Sequence, residues 1–344
     1  MTRKTAVVIC PGRGTYTKAE LGYLARHFAD KALLAAFDAA RRDLGQETLT
    51  ALDGASIYSV AKHTRGDNAS GLIYACTLGD FRAINSDKVD IVAVTGNSMG
   101  WYSALACGGA LSAEGGFEVV NTMGTLMQQS LIGGQVIYPF LGEDWQPDPA
   151  KKAELLALVA EIGTQSGQVL SLSIDLGGML VLAGNDQGLK AFEASVPPVQ
   201  GRFPMRLANH AAFHSTLQAP VAAEGRARLP ASLFSQPKLP MIDGRGTIWW
   251  PGATDTERLR DYTLGHQVTE PYDFTKAIRI AAREFAPELF IITGPGTTLG
   301  GAVAQSLILA NWHNMASKAD FQTQQNLAPL LASMGMNEQR VTIT

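Results

Sequence analysis

Charge is scarce in this chain. Charged residues make up 17% of its 344 positions, against about 25% in an ordinary globular domain. The 28 basic and 31 acidic residues leave a formal net charge of −3, which excludes the basic surplus of a protein that grips nucleic acid by its phosphates. Cysteine is sparse too. Cys10, Cys76 and Cys107 lie far apart, are odd in number and form no CxxC pair, which argues against a disulfide framework and against a cysteine zinc site; no metal is expected. No apolar run approaches the roughly 20 residues of a membrane helix. The apolar segment 6–10 is also shorter than the ~7–15-residue core of a secretion signal, so a soluble cytoplasmic protein is expected.

What the chain has is apolar residues, at 46%, and 35 glycines, a glycine content above the ~7% average. A chain this apolar and this weakly charged buries a core instead of staying disordered.

The run 6–10 (AVVIC) is closed by Pro11-Gly12-Arg13-Gly14 and reads as a strand buried on both faces, as in a parallel sheet. Helical patterns follow over 18–44 and 67–86, then a second buried strand over 89–94, then helical stretches over 99–112 and 116–131. Strand and helix in alternation predict an α/β sheet. From residue 132 the character changes. Strand patterns near 135–141, 168–173, 179–183 and 202–207 are interleaved with helical patterns over 150–162 and 187–194. This β-α-β-β-α-β order is that of a ferredoxin-like module. The expected division is a core of 1–131 and 208–344 with a subdomain inserted at 132–207. A buried strand at 289–292 returns to the core, and the tail beyond about 310 is expected to be a helical extension.

The strongest chemical signal is Gly96-Asn97-Ser98-Met99-Gly100, a G-x-S-x-G with an apolar strand before it and helix-compatible residues after it. In a nucleophile elbow the serine sits on a sharp strand-to-helix turn, and the next N–H, here that of Met99, is free to hold an oxyanion. The bland alternative is a glycine-rich turn with an incidental serine. A serine nucleophile needs a base. Of the six histidines, His27 and His313 read as structural or surface residues, and His63 stands in a polar loop. His210 and His214 lie together in ANHAAFHS, and spacing alone leaves the base undecided between them.

Six segments, spread over about residues 5–305, together resemble malonyl-CoA:acyl-carrier-protein transacylases and the acyltransferase domains of polyketide synthases. They are CPGRGT (10–15), GNSMGWYSAL (96–105), MGTLMQ (123–128), AFHS (212–215), HQVTEP (266–271) and GPGTTL (294–299). The resemblance implies an α/β-hydrolase-like core with an inserted ferredoxin-like subdomain. It implies Ser98 as nucleophile, His214 as base, Gln267 as the residue that orients this histidine, and the backbone N–H groups of Met99 and Arg13 as the oxyanion hole. The implied activity moves an acyl group between coenzyme A and acyl carrier protein through an acyl-serine ester. It needs no cofactor beyond acyl-CoA and the phosphopantetheine-bearing carrier, and a monomer is expected.

Departures from the family pattern bear on the acyl group. Malonyl-selective members carry an arginine at the position of Met123, whose guanidinium holds the substrate carboxylate. Methionine cannot do so, and a neutral acyl group is therefore expected. Met123 and Met127 either line an apolar acyl pocket or are ordinary core. Asn97, Asn68 and Trp101 replace common family residues and are expected around that pocket. Arg13 stands where glutamine is usual, either as a replacement carboxylate clamp or paired with an acid such as Asp175. Two alternatives accompany acyl transfer: a hydrolase of carrier-bound thioesters, and a non-catalytic binding homologue. Arg65, Lys190 and Arg202 are candidates for docking an acidic carrier.

Overall fold

In a computed structural model, residues 3–344 are described. The chain runs through β1 (Lys4–Cys10), α1 (Lys31–Asp43), α2 (Gly66–Ala83), β2 (Val89–Gly96), α3 (Gly100–Cys107) and α4 (Ala113–Gln129). It continues with β3 (Gly134–Pro139), α5 (Pro149–Gly163), β4 (Leu170–Leu176), β5 (Met179–Gly184), α6 (Asp186–Ser195), β6 (Met205–Arg206) and α7 (Ala219–Arg228). The last elements used below are β7 (Met241–Ile242), β8 (Ile248–Trp249), β9 (Tyr272–Asp273), α8 (Phe274–Phe285), β10 (Leu289–Ile292), α9 (Leu299–Leu309), β11 (Leu331–Ser333) and α10 (Asn337–Ile343).

The main sheet has the order β11-β10-β1-β2-β7-β8 and is parallel except for the β7–β8 pair. Ala6 to Cys10 in its middle are wholly buried, as a strand covered on both faces must be. The second sheet has the order β6-β3-β5-β4-β9. Its strands β3 to β6 are antiparallel, and β9 joins beside β4 in parallel. The helices α5 and α6 pack on one face of this sheet; Tyr138 of β3 meets Phe192 of α6 edge to face, ring centroids 5.7 Å apart. The other face is left for the site described below.

Two expectations about elements change. The helical stretch 18–44 is broken: a 3-10 turn and a short helix (Tyr23–His27) precede α1. Gly22 lies between them at φ 81°, a left-handed backbone that ends a right-handed run. Asp30 then starts α1 afresh by accepting from Leu33 N, a cap worth about 1 kcal/mol. The tail is not merely a helical extension, because β11 extends the main sheet beside β10. α10 is pinned by Arg340, whose guanidinium donates to the buried carboxylate of Asp80 at 2.7 Å. Asp80 also accepts from Tyr23 and from the backbone N–H of Gly294. Burial pushes the Asp80 carboxyl above its ordinary value, and Arg340 opposes that shift.

Candidate active site

The elbow forms where β2 ends. Asn97 N donates to Cys10 O at 3.0 Å, which ties the turn to β1, and Ser98 sits at φ 56°, a conformation that costs a non-glycine residue free energy. α3 starts at Gly100, where a Cβ would stand 2.1 Å from Cys10 O, so only glycine lets the strand and the helix start come this close. Ser98 Oγ is thereby presented beside His214, with 2.7 Å between Oγ and Nε2.

His214 also has a left-handed backbone, at φ 55°. Its Nδ1–H donates to the carbonyl of Gln267 at 2.6 Å. A carbonyl only accepts, so Nε2 carries the lone pair that faces the Ser98 hydroxyl. Burial lowers the imidazole pKa to about 4, against the raising effect of the Gln267 carbonyl. The side chain is therefore neutral at pH 7, the form able to take a proton. Gln267 follows a π-helical turn over Tyr262–His266. Its role differs in part from the one implied by the resemblance. The backbone carbonyl orients His214, while the side-chain amide donates to Ser98 O at 3.0 Å and accepts from Tyr102 OH at 2.9 Å. Tyr102 was not anticipated, although its place four residues after Ser98 was a usable signal. Tyr272 was missed as well. It lies beside the His214 ring and donates to Gly96 O, and nothing in the sequence marks it.

The backbone N–H groups of Met99 and Arg13 donate to no acceptor among the described residues. Both residues line the space around Ser98, so two free donors accompany the serine.

Arg13 does not pair with Asp175. That carboxylate is taken by Lys152 and by Thr275 Oγ1. Arg13 Nη2 donates instead to the carbonyls of Thr64 and Asn209, each at 2.8 Å, and the guanidinium lies 5.2 Å from the Phe213 ring centroid. Nε and Nη1 are buried without acceptors. Burial lowers the Arg13 pKa to about 10, with Asp67 opposing, so the group remains cationic at neutral pH. It belts the first loop to the segments around Thr64 and Asn209.

Two cavities meet at Ser98. The small one, about 20 Å³, is bounded by Ser98, Met99, Met127, His214 and Gln267. The large one, about 600 Å³, includes Ser98, Asn97 and Arg13 in its wall and reaches the open face of the second sheet. Met127 and Asn97 thus border the space beside Ser98. Met123, Asn68 and Trp101 do not: of the two alternatives for Met123 the core holds, and the pocket expectation for Asn68 and Trp101 is corrected. Met123 is wholly buried, with its sulfur against Gly225 of α7. Asn68 is spent on Arg41 Nη2 and on Lys62 O. Trp101 Nε1 donates to Thr263, and its ring meets Tyr262 edge-on. His210 borders the large cavity but faces Gln135 at 2.8 Å, not Ser98. Burial and the Arg13 charge hold it well below its ordinary pKa.

Lys190 is tied to Asp186 and Arg65 to Asp67, whereas Arg202 is exposed at the rim of the large cavity. Among the described residues, no group of three or more His, Cys, Asp or Glu side chains is placed to hold a metal ion, and no helix is long and apolar enough to cross a membrane.

No family model matches the chain. Among curated proteins it is 26% identical over 210 residues to the malonyl CoA-acyl carrier protein transacylase of Salmonella typhimurium, covering 60% of this chain and 63% of that protein. It is 27% identical over 227 residues to a segment of polyketide synthase GfsB of Streptomyces halstedii, covering 66% of this chain and 4% of that protein. The alignment thus spans less than two thirds of the transacylase. Among solved structures, the malonyl CoA-acyl carrier protein transacylase of Coxiella burnetii superposes with a TM-score of 0.74 at 17% identity, over 99% of this chain and 96% of that one. A malonyl-transacylase solved in complex with its type II PKS acyl-carrier protein gives 0.70 at 21% identity, over 95% and 99%. The chain is therefore similar in sequence to malonyl CoA-acyl carrier protein transacylases and has their fold, an α/β-hydrolase-like core with a small subdomain.

Proposed function

We propose that this chain moves an acyl group between two thiol carriers, coenzyme A and the phosphopantetheine arm of an acyl carrier protein, through an ester on Ser98. The observation that carries this reading is the 2.7 Å approach of Ser98 Oγ to a histidine whose other nitrogen is engaged by a carbonyl. Ser98 Oγ attacks the thioester carbonyl carbon while His214 Nε2 takes the hydroxyl proton. The carbonyl oxygen becomes an oxyanion between the N–H groups of Met99 and Arg13, each donor being worth about 3–4 kcal/mol in such sites. The carbon–sulfur bond breaks, and the leaving thiolate takes the proton back from His214. With a pKa near 4, the imidazolium formed is a ready proton donor. A second thiol reverses the steps and carries the acyl group away. The carriers come from the relatives' names, and a transacylase seen with its carrier protein is among the similar structures.

In this reading residues 1–131 and 208–344 supply the reacting groups and 132–207 form the far wall of the cleft. A neutral acyl group suits the mainly apolar lining of the large cavity. The hydrolase alternative has no observation in its favour.

Intact-mass measurement after incubation with acetyl-, malonyl- and octanoyl-CoA tests the proposal. An adduct of acyl mass that moves to a holo-carrier protein and is absent from Ser98→Ala is expected. No adduct with any donor, or an adduct that survives Ser98→Ala, overturns it.

A further inference from the structure

The larger cavity has two unlike ends. Near the nucleophile it is polar. Gln135 of β3 contacts His210, and its amide donates to Ser173, which in turn donates to the carbonyl of Phe213, the residue before His214. The Gln135 end of the second sheet therefore abuts the catalytic histidine. Two residues further along β3 the same face becomes apolar. Ile137 pairs with Val181 on one side and Met205 on the other, and Val181 pairs with Ile174, so one cross-strand row of aliphatic side chains spans β6, β3, β5 and β4. A second row follows at Leu176 opposite Met179. These six residues all border the cavity. Beyond them the β4–β5 turn presses on α9, where an added Cβ on Gly177 would stand 2.5 Å from Ala302 O. From Gln135 to the level of Met179, which pairs with Pro139, is four residues of strand, about 13 Å.

We infer that this apolar trough holds the alkyl tail of a medium-length neutral acyl group, of octanoyl or decanoyl length, lying along the face of the second sheet with its carbonyl at Ser98. The inference rests on the Ser98 ester proposed above and names its cargo. Two features carry it. A two- or three-carbon acyl group fills a small part of a cavity of about 600 Å³, within the ~300–1,000 Å³ that buries a drug-sized ligand. The aliphatic rows, moreover, offer no side-chain donor or acceptor. A pantetheine arm laid there would bury its amides unpaired, which is costly, whereas an alkyl chain leaves nothing unsatisfied. The arm has a better route at the β6 rim, where Arg202 is exposed and Met205 is 37% exposed.

Two measurements test the trough. In the first, acylation rates of the whole chain are compared across acetyl-, butyryl-, octanoyl-, decanoyl- and malonyl-CoA. Octanoyl or decanoyl should exceed acetyl by roughly tenfold or more, as the burial of several methylenes allows. Ala302→Trp, at the far end, should lower the octanoyl-to-acetyl ratio by roughly tenfold. A uniform loss across all donors in a folded Ala302→Trp protein overturns the trough in favour of an arm corridor. Malonyl-CoA as the fastest donor, with that preference removed by Arg13→Gln, overturns it in favour of a carboxylated acyl group. In the second, calorimetry on Ser98→Ala compares octanoyl-CoA with acetyl-CoA. Tighter octanoyl binding supports the trough even if the wild-type chain forms no ester, and equal binding overturns it even if an ester forms.

Discussion

The two walls of the cleft are built on opposite principles. The wall that carries Ser98 is set by main chain: the first loop, the elbow and the start of α3 touch through carbonyls, N–H groups and a glycine with no room for a methyl. The facing wall presents mainly side chains, aliphatic rows beyond a polar Gln135 end, on a sheet whose backbone is already satisfied by its ladder. Main-chain contacts fix atoms to within the tolerance of a hydrogen bond and do not vary with residue type. Aliphatic rows change volume with each substitution and cost little backbone order. In the proposed reaction the reacting atoms thus stand on the wall that cannot drift, and the acyl group would face the wall that can.

Substitution should separate the walls sharply. Gly100→Ala forces a Cβ to 2.1 Å from Cys10 O and should cost more than about 4 kcal/mol in urea unfolding, or prevent folding, as backbone clashes in a packed core do. An equally stable Gly100→Ala protein would show that the main-chain wall yields.

Acid comes next. His214 is near 4 in the fold and near 6.5 when exposed, so between these values the unfolded chain binds more protons and stability falls as pH falls. The loss from this group approaches about 3 kcal/mol by pH 4. His27 and His210 act in the same direction, while the raised carboxyls of Asp80 and Asp273 act in the opposite one. Urea midpoints measured at pH 7, 5.5 and 4.5 should decline in that order; a flat profile would mean that the lowered histidines do not outweigh the raised carboxyls.

Tyr102→Phe removes one hydrogen bond to the Gln267 amide and should cost about 1 kcal/mol, with acylation slowed for every donor alike. The smallest effect is expected on the other wall. Ile174→Val should cost about 0.5–1 kcal/mol, because the cavity already relieves one side of this residue, and it should alter donor preference more than overall rate. A shift of preference in Tyr102→Phe, or a uniform slowing in Ile174→Val, would erase the distinction.

The same division explains what could be read from the amino acids. The strand at 6–10 announced itself because double burial demands an unbroken apolar run, whereas in 89–94 the run is broken by the exposed Asp90 and full burial returns only from Ala93. The elbow was legible because the turn admits few residues. The partner of Ser98 was not, since 116 positions separate it from His214 and spacing favoured neither His210 nor His214; only the resemblance chose. The orienting group of His214 is a carbonyl that any residue would supply. The residues leave Met123 and Met127 open between acyl pocket and core, because four residues along one helix face do not guarantee a shared environment. One turn along α4, Met127 borders the small cavity at Ser98 while Met123 lies under α7. β7 and β8 pair through two residues each, too few to leave a pattern.

Both partners of the proposed proton transfer, Ser98 and His214, rest on left-handed backbone, where side chains are disfavoured and glycine is at ease. Each therefore opposes the stability of the turn it occupies. Under selection for stability alone, replacement of Ser98 by glycine would be among the favoured changes, and it would silence the chemistry in one step. The proposed reaction thus asks two side chains to hold positions that stability alone would give to glycine.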